Sequence, residues 1–132
     1  MQSGLDPLPE ARKLMTKVIY YTTITGENPV SDFLDSLDDK QQSKLLRILT
    51  YIEKYGLQSV LPHVKKLTGT PFWEIRILGK DNIRVFYVSI TGEEILALHG
   101  FIKKKQKTPP KEIETALNRF KDWLARENPV DF

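Results

Sequence analysis

Arg76, Arg84, His99 and a run of lysines fall within one short stretch of the chain. The segment WEIRIL carries Arg76, IRVFYVSI opens on Arg84, and EEILALHGFIKKKQK runs through His99 into Lys103, Lys104, Lys105 and Lys107. Fixed guanidiniums beside a mobile ammonium run can grip a phosphate backbone and stabilise charge developing on one phosphate. RNA is therefore the first partner to consider. Imidazole can take a proton from a ribose hydroxyl or return one to a leaving oxygen, so His99 is a candidate for proton transfer. A lone strand histidine with no visible carboxylate partner is more often a structural group. His63, beside Lys65 and Lys66, is the weaker histidine candidate.

Side chains alternate along a strand, so Glu74 and Arg76 share one face, and Arg84 shares a face with Phe86 and Val88 while Tyr87 points the other way. If these strands pair through their short turn, Arg76 and Arg84 line one groove. Two guanidiniums there would hold adjacent phosphates or stabilise the pentacovalent transition state of phosphoryl transfer. The alternative is that Glu74 pairs with one arginine as a surface ion pair. The lysine run, with Lys111 after it, is either a polyanion contact, a solvated charge run or a guard on an edge strand. Trp73, Phe86 and Phe101 either stack on bases or belong to the core.

The elements that must position these groups are legible from pattern. Val18 to Thr23 reads as a first strand, ended by Thr25, Gly26, Glu27 and Asn28. Asn28 and Pro29 start a short helix to about Leu37 with Val30, Phe33, Leu34 and Leu37 inward. Asp38 or Asp39 caps a second helix to about Tyr55, with a stripe of Leu45, Leu46, Ile48, Leu49 and Ile52, stopped at Gly56. A linker through Pro62, His63, Lys65 and Lys66 closes on the turn cluster Thr68 to Pro71. Strands at about Phe72 to Leu78, Ile83 to Ile90 and Glu94 to Ile102 follow, joined by turns at Gly79 to Asn82 and Thr91 to Glu93. Joins this short make an antiparallel meander whose middle strand, apolar on both faces, is interior. Thr108 caps a last helix opened by Pro109 and Pro110, with Ile113, Leu117, Phe120 and Leu124 at helical spacing and Ala116 beside them. The fold class is α+β, in the order β-α-α-β-β-β-α.

At 132 residues and 40% hydrophobic content the chain fits one domain with one core. Residues 17–127 are assigned to that domain, and 128–132 to a C-terminal tail. Residues 1–16, with Pro7 and Pro9, are expected to be an extension, disordered, weakly helical near Glu10 or foreign to the native chain. Met15 stands where a shorter chain could start. The absence of cysteine removes disulfides, zinc–thiolate sites and thiol catalysis. With no long apolar run, neither membrane insertion nor secretion is supported, and a cytoplasmic location is expected. The net charge of +3 is small, but residues 27–39 hold five acids and no base, whereas residues 61–111 hold ten Lys or Arg against four acids. A basic later segment can meet nucleic acid while the acidic one stays clear. Walker, GxGxxG, HExxH and GxSxG motifs are missing, and two scattered histidines offer no transition-metal site, so no cofactor and no metal are expected.

The ordered set VKKLTGTPFWEIR, IRVFYV and LHGFIKKKQKTPPKEIETALNRF resembles the HigB-like, phage-derived branch of the RelE/ParE superfamily of type II toxin–antitoxin toxins, over about Val18 to Trp123. The resemblance implies an antiparallel sheet packed against the two early helices, its basic concave side facing RNA. It further implies a ribosome-dependent endoribonuclease that cuts mRNA in the decoding site and is held inactive by a cognate helix-turn-helix antitoxin. Such enzymes are metal-free: the ribose 2′-hydroxyl attacks its own phosphate in line, leaving a 2′,3′-cyclic phosphate or its hydrolysis product.

Carried over by position, Arg76 falls where RelE-like toxins place a catalytic basic residue, and Arg84 on the arginine of their R-x-x-Y strand. Lys104, flanked by Lys103 and Lys105, takes the place of a later basic residue that stabilises the transition state, and His99 matches the histidine of the HigB-like block. Lys65 and Lys66 would grip messenger or ribosomal RNA, with Lys107 adding to the basic run. Two departures separate the chain from RelE itself: Glu74 stands where RelE has a lysine, and Thr108, Pro109 and Pro110 occupy the region of its late catalytic tyrosine. His99 then substitutes as the base, or the site is weaker or inactive. A ParE-like gyrase inhibitor and a non-catalytic RNA- or antitoxin-binding module are the competing functions. ParE-like proteins lack the L-H-G-F-x-K-K block.

Overall fold

A computed structural model describes residues 16–77 and 82–127. Its elements are β1 (Lys17–Tyr20), α1 (Pro29–Ser36), α2 (Asp39–Tyr55), a 3₁₀ segment (Leu57–His63), β2 (Val64–Lys66), β3 (Trp73–Ile77), β4 (Ile83–Thr91), β5 (Glu94–Ile102) and α3 (Pro110–Glu127). The class is α+β, with one mixed, mostly antiparallel five-stranded sheet in the order β1-β5-β4-β3-β2. The expected linker through Lys65 and Lys66 instead supplies an edge strand, because β2 pairs antiparallel with β3 and adds one β to the order. The tip of the β3–β4 turn, residues 1–15 and the tail 128–132 lie outside the described residues.

Local signals explain the helices. The Asn28 side chain accepts from Ser31 N at 3.2 Å, with Pro29 pre-set for the first turn of α1. Asp38 and Gln41 form a reciprocal capping box at the start of α2 (2.8 and 3.2 Å), and Gly56 ends that helix at φ 82°, a conformation that favours glycine. Leu46 and Leu124, assigned to inward stripes by spacing, sit at the margins and are exposed.

The sheet is covered on both faces. On one, Val30, Leu37, Leu45, Ile48, Leu49 and Ile52 of the early helices and the loop between them meet Ile75, Ile77, Ile83, Val85, Tyr87, Ile95 and Ala97. On the other, α3 brings Ala116, Ile113, Leu117, Phe120 and Trp123 onto Phe72, Phe86, Val88, Leu96, Leu98 and Phe101. Phe86 and Phe101 are thus core residues, and Trp73 alone of the three candidate stacking aromatics is exposed. Gly100 is required by α1, since a Cβ there would collide with the Phe33 ring. The other end of α3 is tied back to the segment just after β1: the Tyr21 hydroxyl donates to Asp122 Oδ2 at 2.6 Å, and Arg126 bridges Asp122 (2.7 Å) and the Thr22 carbonyl.

Candidate RNA-facing site

The antiparallel register of β3 and β4 sets Arg76 directly opposite Arg84, and Glu74 opposite Phe86. All four side chains project from the α3-side face, but α3 does not cover the arginine end of it. What remains is an open pocket of about 230 Å³ lined by Arg76, Arg84, Glu74, Lys65, Lys66, Leu67, Thr68, Lys103 and Thr108. A second, of about 370 Å³, is lined by Asn82, Arg84, Lys103, Lys104, Lys105 and Gln106. Arg84 and Lys103 belong to both, so the two form one basic surface. The groove expected from strand alternation is present.

Arg84 is buried (6% exposed), as is Glu74 (4%), and Arg84 Nε lies 3.2 Å from Glu74 Oε1. The ion pair foreseen as a surface contact is therefore an internal one. Its alignment is poor for a hydrogen bond: the buried Nε groups of Arg84 and Arg76 both lack a hydrogen-bond partner among the described residues. Arg84 Nη1 donates to the Ile83 carbonyl at 3.1 Å. Burial holds the Arg84 pKa below the ordinary arginine value, with Glu74 opposing the shift and the Arg76 charge adding to it. Two guanidiniums set opposite each other in a basic pocket are of the type that pairs with an oxyanion.

The lysines divide. Lys103 N continues the ladder by donating to the Asn82 carbonyl at 2.8 Å, which fixes the base of the run. Lys104 and Lys105 are exposed on the second pocket, and Lys65 is exposed on the first. Lys66 is held by the turn, donating to Thr70 O at 2.5 Å and packing over the Trp73 ring at 5.8 Å. Lys107 is exposed and lines neither pocket.

His99 is brought to the α3-side face by a β-bulge. The register passes from Phe86↔His99 to Tyr87↔Ala97, so Leu98 is the extra residue. Its freed carbonyl accepts from Arg119 Nη1 at 2.9 Å, and the same nitrogen contacts His99 Nδ1 at 3.1 Å. Arginine can only donate, so Nδ1 is the acceptor and the proton sits on Nε2, which donates to Glu112 Oε1 at 3.2 Å. A carboxylate partner does exist, supplied by α3. Burial and the Arg119 charge hold the His99 pKa below its ordinary value, partly offset by Glu112. The ring is flanked by Phe101, stacked at 5.4 Å, and by Phe86, and it lines neither pocket. Both ring nitrogens are committed, so accepting a proton at Nδ1 requires Arg119 to move.

Sequence reasoning passed over Glu112, Arg119 and Thr108 as site-building residues. Glu112 and Arg119 lie two helical turns apart on one face of α3, a spacing readable only once His99 is known to face that helix. Among the described residues no group of three His, Cys, Asp or Glu is arranged to hold a metal ion, and no helix is long and apolar enough to cross a membrane.

Residues 32–121, which include the whole basic surface, match the family described as "Phage derived protein Gp49-like (DUF891)". The chain is also 27% identical over 118 residues to the protein named "Probable endoribonuclease HigB1" in two strains of Mycobacterium tuberculosis, an alignment that covers 89% of this chain and 91% of the relative. With that coverage, and with the HigB-like blocks forming a single surface on an α+β fold, the chain belongs to the phage-derived Gp49-like family (DUF891).

Proposed function

We propose that this protein is the toxin of a type II toxin–antitoxin pair and acts as an endoribonuclease on mRNA held in the ribosome, in the cytoplasm, under control of a cognate helix-turn-helix antitoxin. The observation that carries the reading is the Arg76–Arg84 pair, two guanidiniums set opposite each other on paired strands in the wall of a basic pocket. Its similarity to a protein named an endoribonuclease supports the same activity. In this reading the RNA 2′-hydroxyl attacks the adjacent phosphorus, forming the 2′,3′-cyclic phosphate as the 5′-oxygen leaves. Arg76 and Arg84 stabilise the charge on the non-bridging oxygens, and Lys104 adds to it. Lys65, Lys66, Lys103, Lys105 and Lys107 hold the flanking backbone. Once Arg119 has released Nδ1, His99 takes the 2′-hydroxyl proton there, and the departing 5′-oxygen takes up a proton from solvent. The chemistry needs no cofactor and no metal.

Mapping of mRNA 5′ ends after brief induction tests this, with wild type and Arg84→Ala compared with and without a block on translation. Cuts in translated frames that vanish in the variant or with translation stopped support it. Growth arrest with intact mRNA overturns it and makes topoisomerase inhibition, the ParE-like activity, the next assay.

The engagement of both His99 nitrogens favours a second reading, in which the same surface binds RNA or antitoxin without cutting. RNA binding with no cleavage on translating ribosomes would select it.

A further inference from the structure

Glu74 is a carboxylate where a phosphate-binding surface has least use for one: buried, in the wall of a pocket otherwise rimmed by Arg76, Arg84, Lys65, Lys66 and Lys103. We infer that Glu74 is a positioning residue, which fixes the edge of Arg84 offered to the substrate and restrains the pull of the pocket on a polyanion. The inference rests on the endoribonuclease reading above.

Geometry gives the first half. Arg84 Nε faces Glu74 Oε1 at 3.2 Å as a charge contact without hydrogen-bond alignment, and Nη1 donates to the Ile83 carbonyl, so this edge of the guanidinium is turned into the fold. Nη2 has no partner among the described residues and is the group left for an incoming oxygen. A guanidinium oriented before the reaction needs no reorganisation during it, which is where charge stabilisation gains most. Arg76 has no such anchor among the described residues, and its Nε is buried without a partner. Arg84 is thus the preset group, and Arg76 adjusts to the phosphate it meets.

Electrostatics gives the second half. Like charges set directly opposite across a strand pair repel. Arg76 and Arg84 stand in that relation, and Glu74, two residues before Arg76 on the same face, offsets one of the two charges. Without the carboxylate the free pocket would hold its anion more tightly, yet the guanidinium that matters in the transition state would be less well aimed. Tight ground-state binding does not raise turnover.

Glu74→Gln preserves size and leaves an amide oxygen beside Nε while removing the charge. The expected signature is a split: severalfold tighter binding of an RNA oligonucleotide with a 2′-deoxy sugar at the cleavage position, with a steeper salt dependence. Single-turnover cleavage on programmed ribosomes should slow by about ten- to a hundredfold. A merely structural role would weaken both or neither. Glu74→Asp keeps the charge and withdraws it by one methylene, so binding should stay near wild type while cleavage slows, and this variant decides if the glutamine form does not fold. A glutamine variant that binds no tighter, or cleaves at the wild-type rate, overturns the inference. If wild type binds RNA but never cleaves it while Glu74→Gln still tightens binding, the nuclease reading falls and the restraint by Glu74 stands.

Discussion

Arg119 of α3 uses one nitrogen to reach both the Leu98 carbonyl (2.9 Å) and the Nδ1 of His99 (3.1 Å) on β5. One side chain thus satisfies the bulge and sets the tautomer of the histidine that the bulge has turned toward it. The last helix therefore sets the tautomer of a group that the sheet presents.

His99 should be neutral at pH 7, protonated only at Nε2, a state that nitrogen-15 chemical shifts of the ring report directly. Its folded pKa lies below the unfolded value near 6.5. The unfolded chain therefore binds the proton first as pH falls, and stability should decline from about pH 6.5 downward, levelling off below the folded pKa. Arg119→Met removes both the repelling charge and the donor to Nδ1, and should raise the His99 pKa. Urea unfolding across pH 5–8 on the two proteins checks the sign.

Arg84→Ala should reduce cleavage by about a hundred- to a thousandfold, the usual consequence of removing one preset oxyanion donor. Arg84→Lys should recover little of it, because an ammonium cannot bind Glu74, the Ile83 carbonyl and a phosphate oxygen in one plane. Single-turnover rates on ribosomes measure both.

Lys104→Ala and Lys105→Ala, both at exposed positions, should weaken RNA binding at all sequences alike. Removing one lysine–phosphate interaction should flatten the dependence of log K on log salt by about 0.7 for a single strand. Fluorescence anisotropy across a salt series reads this. An unchanged slope would reduce these lysines to solvated surface.

Gly100→Ala should cost about 1–3 kcal/mol, because the added methyl meets the Phe33 ring and α1 must shift. A smaller side chain at Phe33 in the same chain should restore part of that stability, measurable as a partial return of Tm. The alanine variant alone tests whether α1 is seated as tightly as the packing implies.

How far the sequence could be read depended on whether a feature was local. The shared face of Arg76 and Arg84 followed from strand alternation and a short turn, both local. The second strand, Val64–Lys66, could not be read because it has two lysines, no apolar alternation and a proline two residues before it; it is a strand only because β3 offers a partner. The environment of His99 was hidden for a different reason. Two-residue periodicity gives a face only when no residue is inserted, and the extra Leu98 is visible only in the pairing. Leu46 and Leu124 match helical spacing as well as the residues beside them do, and spacing alone does not show how wide a stripe the sheet covers.

The inserted Leu98 also divides β5 into two lengths that run out of phase. From Glu94 to Ala97 the strand keeps step with β1 and the apolar core; from His99 onward it keeps step with the arginine-bearing end of β4. Neither length inherits its facing from the other, so the facing of His99 is set by its pairing with Phe86 and not by the step that Glu94 to Ala97 keep with β1.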